Sequence, residues 1–173
     1  MTLGELILAH ADVDATRCEQ LIRNVRPAVA GITLYVNTSD WALWASEKLS
    51  TKGRCGAMAR VYEGADTIDT TGLNAMGDRW PADSIFLPVL KNLVAVRTEG
   101  LNHDAFVRVP LLFGEITRLL LTGMRPPDKR TTDLAQVKNN EGKIYWRFDK
   151  ARLVAQMPAA DKVLETGADP TTK

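Results

Sequence analysis

Glu5-Leu6-Ile7-Leu8-Ala9-His10-Ala11, closed by Asp12-Val13-Asp14, and Ile32-Thr33-Leu34-Tyr35-Val36, closed by Asn37-Thr38-Ser39-Asp40, are the stretches that decide the fold. The first is a short apolar run without polar alternation, which suits a strand buried on both faces of a parallel sheet. The second is rich in β-branched and aromatic residues and is introduced by Gly31. Between them, Cys18, Leu21, Ile22 and Val25 recur at spacings of three and four, so Thr16 to Val25 reads as an amphipathic helix that Pro27 ends. Strand, helix, strand in that order predicts a right-handed βαβ crossover.

The pattern continues outward. The turn Asn37–Asp40 offers an N-cap for a helix from Trp41 to about Leu49. Thr51 to Met58 is a glycine-containing loop, and Ala65-Asp66-Thr67-Ile68-Asp69 is a third strand between Gly64 and Gly72. The alternation predicts the α/β class, with a small, mainly parallel sheet and flanking helices. Asp83 to Val96 has helical periodicity disturbed by Pro81 and Pro88, and Leu101 to Asp104 is a polar loop. Leu111 to Leu121 reads as a helix with Leu112, Ile116, Leu119 and Leu120 on one face, stopped by Gly123 and Pro126-Pro127. Lys143 to Phe148 is a candidate late strand and the terminus reads as frayed. Residues 1–130 are expected to form the domain, and 131–173 a C-terminal extension.

Composition excludes several functions. The chain has 173 residues, 45% hydrophobic and 25% charged, with 22 basic and 21 acidic side chains. A net charge of +1 leaves no basic footprint for nucleic acid. No apolar run reaches the ~18–20 residues that span a bilayer. The N-terminus lacks a basic region and carries Glu5 inside its apolar stretch, unlike a signal peptide. Cys18 and Cys55 have no zinc-type spacing and are expected as reduced thiols, which fits a cytoplasmic protein. There is no P-loop, dinucleotide fingerprint or metal-ligand cluster, so neither cofactor nor metal is expected.

Chemistry that needs an imidazole must use His10 or His103, the two histidines of the chain. Asp40 ends a buried strand, where ligands gather in open α/β sheets, and His103 falls in the loop after the next strand. An acid after one strand and a histidine after the following one is the second half of a Ser…Asp…His order. The spacing alone equally suits a capping aspartate and a surface histidine. Asp12 and Asp14 are alternative acids, though they also suit a turn or a helix cap. His10, inside an apolar strand, reads as a packing residue. Trp41 and Trp44 are positioned to wall a substrate pocket or to fill the core. Asp66 and Asp69 resemble a carboxylate pair without an evident partner.

Leu6-Ile-Leu-Ala-His-Ala-Asp-Val-Asp, Ile32-Thr-Leu-Tyr-Val-Asn-Thr-Ser-Asp-Trp-Ala-Leu-Trp-Ala-Ser and Gly64-Ala-Asp-Thr-Ile-Asp, in that order, resemble segments of an uncharacterised bacterial family of α/β-hydrolases in the esterase/lipase superfamily. Arg54-Cys55-Gly56 fits its Arg-x-Gly loop, Leu101-Asn102-His103 its histidine loop, and Leu112 to Arg125 its closing helix. The resemblance spans about Leu6 to Arg130, and implies the C-terminal part of a hydrolase fold. Two departures are Asn102 in place of the family's glycine, and a longer Leu73–Gly100 stretch.

The resemblance implies Asp40 as acid and His103 as base; Trp41 and Trp44, three apart beside Asp40, are the candidate substrate-binding residues. The family's nucleophile elbow and oxyanion segment have no counterpart: Ser39, Ser46, Ser50 and Ser84 are the only serines, and none stands between glycines. The chain alone is therefore expected to be inactive. Its expected partners are an N-terminal hydrolase half, or a second copy pairing through the Leu6–Ala9 edge unless the Lys143–Phe148 strand covers that edge. The rival expectation is a non-catalytic interaction module derived from the same fold, and a third is an unrelated α/β domain binding a ligand at the Asp40 edge.

Overall fold

A computed structural model describes residues 3–50, 52–73, 109–149 and 151–153 of the chain. The first unit is β1 (Leu3–Ala9), α1 (Ala15–Val25) and β2 (Val29–Val36), and the second adds α2 (Trp41–Ser50) and β3 (Asp66–Asp69). β1 pairs parallel with β2 (Leu6 beside Ile32, Leu8 beside Leu34), and β2 pairs parallel with β3 (Tyr35 beside Ile68). After α3 (Pro110–Thr122) the chain returns through β4 (Leu134–Lys138) and β5 (Ile144–Phe148). β5 lies parallel to β3 and β4 antiparallel to β5, giving one sheet of order β1-β2-β3-β5-β4. The protein is α/β with a mostly parallel sheet.

Period-two alternation divides the core between the two faces of the sheet. Ile32, Leu34 and Val36 of β2 meet Cys18 and Ile22 of α1, whereas Tyr35 joins Ile68, Trp146 and Phe148 beneath Leu112 of α3. α1 starts at Asp14, whose carboxylate accepts the Thr16 and Arg17 backbone N–H groups at 3.1 Å each. Those bonds hold the Asp14 carboxyl below the usual aspartate range. α3 ends at Gly123, where φ is +60° and the backbone N–H donates to the Leu119 carbonyl.

Three expectations need correction. β1 is not buried on both faces: it is an edge strand among the described residues, with Leu6, Ile7 and Leu8 half-buried. The Lys143–Phe148 stretch does not cover that edge, because β5 inserts beside β3 on the other side of the sheet. β4 and β5 join that same sheet. Leu120 points outward; the buried face of α3 carries Leu112, Glu115 and Leu119, turned there by a polar network around Glu115.

The cysteines also depart from expectation. Cys18 and Cys55 form a disulfide, not two reduced thiols. Cys18 lies on the buried face of α1, and Cys55 opens a 3-10 turn (Cys55–Ala57) pinned to the chain beyond β1. The Cys55 N–H donates to the Val13 carbonyl at 2.8 Å and the Gly56 N–H to the Ala11 carbonyl at 2.9 Å. A side chain at Gly56 would begin 2.4 Å from the His10 and Ala11 backbone, so only glycine fits that approach.

Candidate functional site at the C-terminal edge of the sheet

The parallel strands deliver their polar ends to one edge: His10 after β1, Asn37 to Asp40 after β2, and Thr70 and Thr71 after β3. The loops beyond β2 and β3 are tied by Thr38, whose backbone N–H donates to Thr71 Oγ1 at 2.9 Å. Asn37 folds its own turn, accepting the Ser39 N–H at 2.9 Å.

Asp40 is 2% exposed. Its Oδ1 accepts the N–H groups of Ala42 at 3.0 Å and Leu43 at 3.2 Å, capping α2. Its Oδ2 lies 3.3 Å from Nδ1 of His10, both side chains fully buried. The imidazole's Nε2 lies 3.1 Å from Oγ1 of Thr70, whose hydroxyl donates to the Val36 carbonyl at 3.0 Å. His10 reaches between the two strands because its backbone leaves β1 with φ of +45°, a left-handed conformation uncommon outside glycine. Its own N–H donates to the Tyr35 carbonyl at 2.9 Å.

Thr70, His10 and Asp40 thus stand in the hydroxyl–imidazole–carboxylate order of a nucleophile relay, with Nδ1 near Asp40 but not hydrogen-bonded to it. They do not share its access. The Thr70 hydroxyl is fully buried and committed to a strand carbonyl, so it has no route to an acyl carbon. The cluster braces three strand ends.

The other expected residues are placed as follows. His103 lies outside the described residues. Trp41 opens α2, and Trp44, one turn on, is half exposed with the Lys48 ammonium 5.8 Å from its ring centre. Asp12 accepts the Ser46 hydroxyl at 2.8 Å and pairs with Arg54 at 3.1 Å. Asp14 is the α1 cap described above. Asp66 and Asp69 stand at opposite ends of β3 and each has a cation: Asp66 shares Arg125 with Glu5, and Asp69 takes Arg147 at 2.7 Å. Burial pushes the Asp66 carboxyl up, against the pull of Arg125. Neither forms a carboxylate pair. No cluster of three or more metal-ligating side chains occurs among the described residues.

His10, expected as a core or packing histidine, is fully buried, with its ring set between Asp40 and Thr70. A polar ring at the last position of an apolar strand, followed by Asp-x-Asp, was the available signal. Comparison of the chain with protein-family models, curated proteins and solved structures finds no match.

Proposed function

We propose that the chain is the acid-and-histidine part of an esterase/lipase-type α/β-hydrolase, with Asp40 as the acid and His103 as the base. The observation that carries this reading is Asp40 itself: a buried carboxylate, fixed at the C-terminal end of the middle strand of three that run parallel in chain order. That is where such folds keep the acid that orients a catalytic imidazole. In the reaction, His103 takes the proton of a serine hydroxyl as it attacks an ester carbonyl, then returns it to the leaving alcohol. Asp40 holds the imidazole's tautomer and stabilises the imidazolium. Trp41 and Trp44 flank the acyl or alcohol group. The serine comes from an N-terminal hydrolase half.

Two further readings belong here. No helix among the described residues is long and apolar enough to cross a membrane. The disulfide removes the reduced-thiol argument for a cytoplasmic location, since disulfides are rare in that compartment. The exposed β1 edge and α3 face favour the rival reading, an interaction module, only if the Asp40–His103 pair is absent.

The pair is tested directly by nitrogen NMR of the histidine rings. Asp40→Asn is expected to change the His103 ring resonances, and a His103 spectrum indifferent to that substitution sinks the hydrolase reading. A fluorophosphonate is expected to leave this chain unlabelled, as its own serines lack an elbow. Stoichiometric labelling at any of them would show that the nucleophile is already present.

A further inference from the structure

The chain's two cysteines bind α1 to a segment that crosses the ends of β1 and β2. That segment, a strap from Gly53 to Gly56, runs antiparallel to the turn beyond β1, with Arg54 bridged to Asp14. Its backbone bonds are few. The Ala15 N–H donates to the Gly53 carbonyl at 2.9 Å, and the Cys55 and Gly56 N–H groups donate to the Val13 and Ala11 carbonyls. The Gly56 carbonyl accepts the Asn37 N–H at 2.8 Å, so the strap ties the end of β2 to the end of β1. Arg54 adds an ion pair with Asp12 at 3.1 Å, but the Asp12 side chain is half exposed, where such pairs hold little. A ladder this short opens locally at little cost. What holds it covalently is the bond from Cys55 to Cys18, 37 residues away in sequence.

We propose that the Cys18–Cys55 disulfide is a redox-sensitive clasp: oxidised, it seats the strap on the ends of β1 and β2, and reduced, it lets the strap lift. Cys18 and Cys55 are 2% and 0% exposed, so a reductant reaches the sulfurs only when the strap is lifted. An external dithiol supplies the electrons. Its thiolate attacks one sulfur and releases the other as a thiolate, and its second thiol then displaces the mixed disulfide. The protein gains two thiols, with two electrons and two protons from the dithiol, which leaves as a cyclic disulfide. Closure returns the two electrons to a small-molecule disulfide of the same class. The seated strap favours it, because it holds the two Cα atoms 6.1 Å apart, within disulfide range. Lifting frees the Asn37 and Gly56 amides and takes Gly56 off the His10 backbone, where no larger residue fits. The clasp thus sets how firmly the Asp40 edge is held, whatever chemistry Asp40 serves.

Hydrogen exchange of the whole chain, with and without dithiothreitol, tests the clasp. The Cys55, Gly56 and Asn37 amides are expected to exchange about 100-fold faster after reduction, the opening that loss of a cross-link allows. Amides of the β4–β5 pair, on the far side of the sheet, are expected to keep their rates. Cys18→Ala without reductant should reproduce the reduced pattern at the strap. Strap amides indifferent to reduction overturn the proposal, whether or not the variant folds. So does a reduced chain whose β4 and β5 amides accelerate as much as the strap, because the bond is then a staple of the whole fold. A disulfide that survives dithiothreitol in the native chain, and yields only in urea, shows a strap that never lifts. Two cysteines that alkylate in urea without reductant show that no clasp forms.

Discussion

Asp40 does two jobs that substitution can separate. Its Oδ1 caps α2, worth about 1 kcal/mol. Its Oδ2 lies 3.3 Å from Nδ1 of the fully buried His10 ring, and disturbing a buried polar contact costs about 1–3 kcal/mol. Asp40→Asn keeps an acceptor for the cap and loses the carboxylate beside His10, so it should destabilise by about 1–3 kcal/mol. Asp40→Ala loses both, and should cost ~1 kcal/mol more. Urea unfolding of both variants checks the order, and two variants as stable as the parent would remove Asp40 from any buried pair. At this scale the sequence was half legible. A polar turn between a buried strand and a helix identifies an N-cap, and Asp40 was found that way. The left-handed backbone that aims His10 at it has no local signature, because it is imposed by contacts with Gly56 and Tyr35 from elsewhere in the chain.

Among the elements, α3 shows how a polar group can set the rotation of an apolar helix. Glu115 is fully buried: it accepts from the Tyr35 hydroxyl and from Arg130, whose Nε and Nη2 both lie 2.7 Å from Oε1. Burial, and then the neighbouring Glu115 charge, drive the Tyr35 hydroxyl far above its ordinary range, so it remains a proton donor to that carboxylate. The guanidinium also donates to the Met124 carbonyl at 2.8 Å, joining the end of α3 to the segment that leads to β4. Glu115→Ala should therefore cost about 3–5 kcal/mol by leaving Arg130 buried without a counter-charge. Adding Arg130→Met to Glu115→Leu should recover most of that loss. A double-mutant cycle by thermal unfolding measures the coupling, and additive losses would mean that the network is not a unit. Periodicity located α3 to within a residue at each end. It misplaced Leu120 because hydrophobic spacing cannot register a buried glutamate whose partners are remote in sequence. β4 escaped notice for a related reason: Leu-Ala-Gln-Val-Lys is a short, half-exposed strand on the far edge of the sheet, with too few apolar positions to stand out.

For the whole molecule, what was legible and what was not divides by sequence distance. β1, β2 and β3 follow one another through short crossovers, so alternation alone gives their order. The place of β5 depends on Ile68 meeting Trp146 across most of the chain, and no local pattern encodes that pairing. Among the described residues the sheet has β1 at one edge, and strand edges with unpaired N–H and C=O groups are templates for another strand. The opposite edge is better defended: β4 alternates Gln136 and Lys138 with its apolar residues and leads into the polar turn Asn139–Gly142. Among the described residues β1 has no such guard beyond Glu5, which is already engaged by Arg125, and Leu3 is exposed. α3 adds Phe113, Leu120 and Leu121 to the solvent side, with Leu121 80% exposed. Apolar side chains seven and eight positions apart on a helix form one stripe, and an exposed stripe favours association. The chain should therefore dimerise or take up a partner at the β1 edge or on the α3 face. Sedimentation velocity over a concentration series should show the weight-average coefficient rising. Leu120→Lys with Leu121→Lys should weaken that rise if the α3 stripe is the contact, and Leu3→Lys should weaken it if the contact is the β1 edge. A single monomeric boundary at the highest concentration, with β1 amides that exchange slowly, would show that the edge is already protected and that the sheet needs no partner.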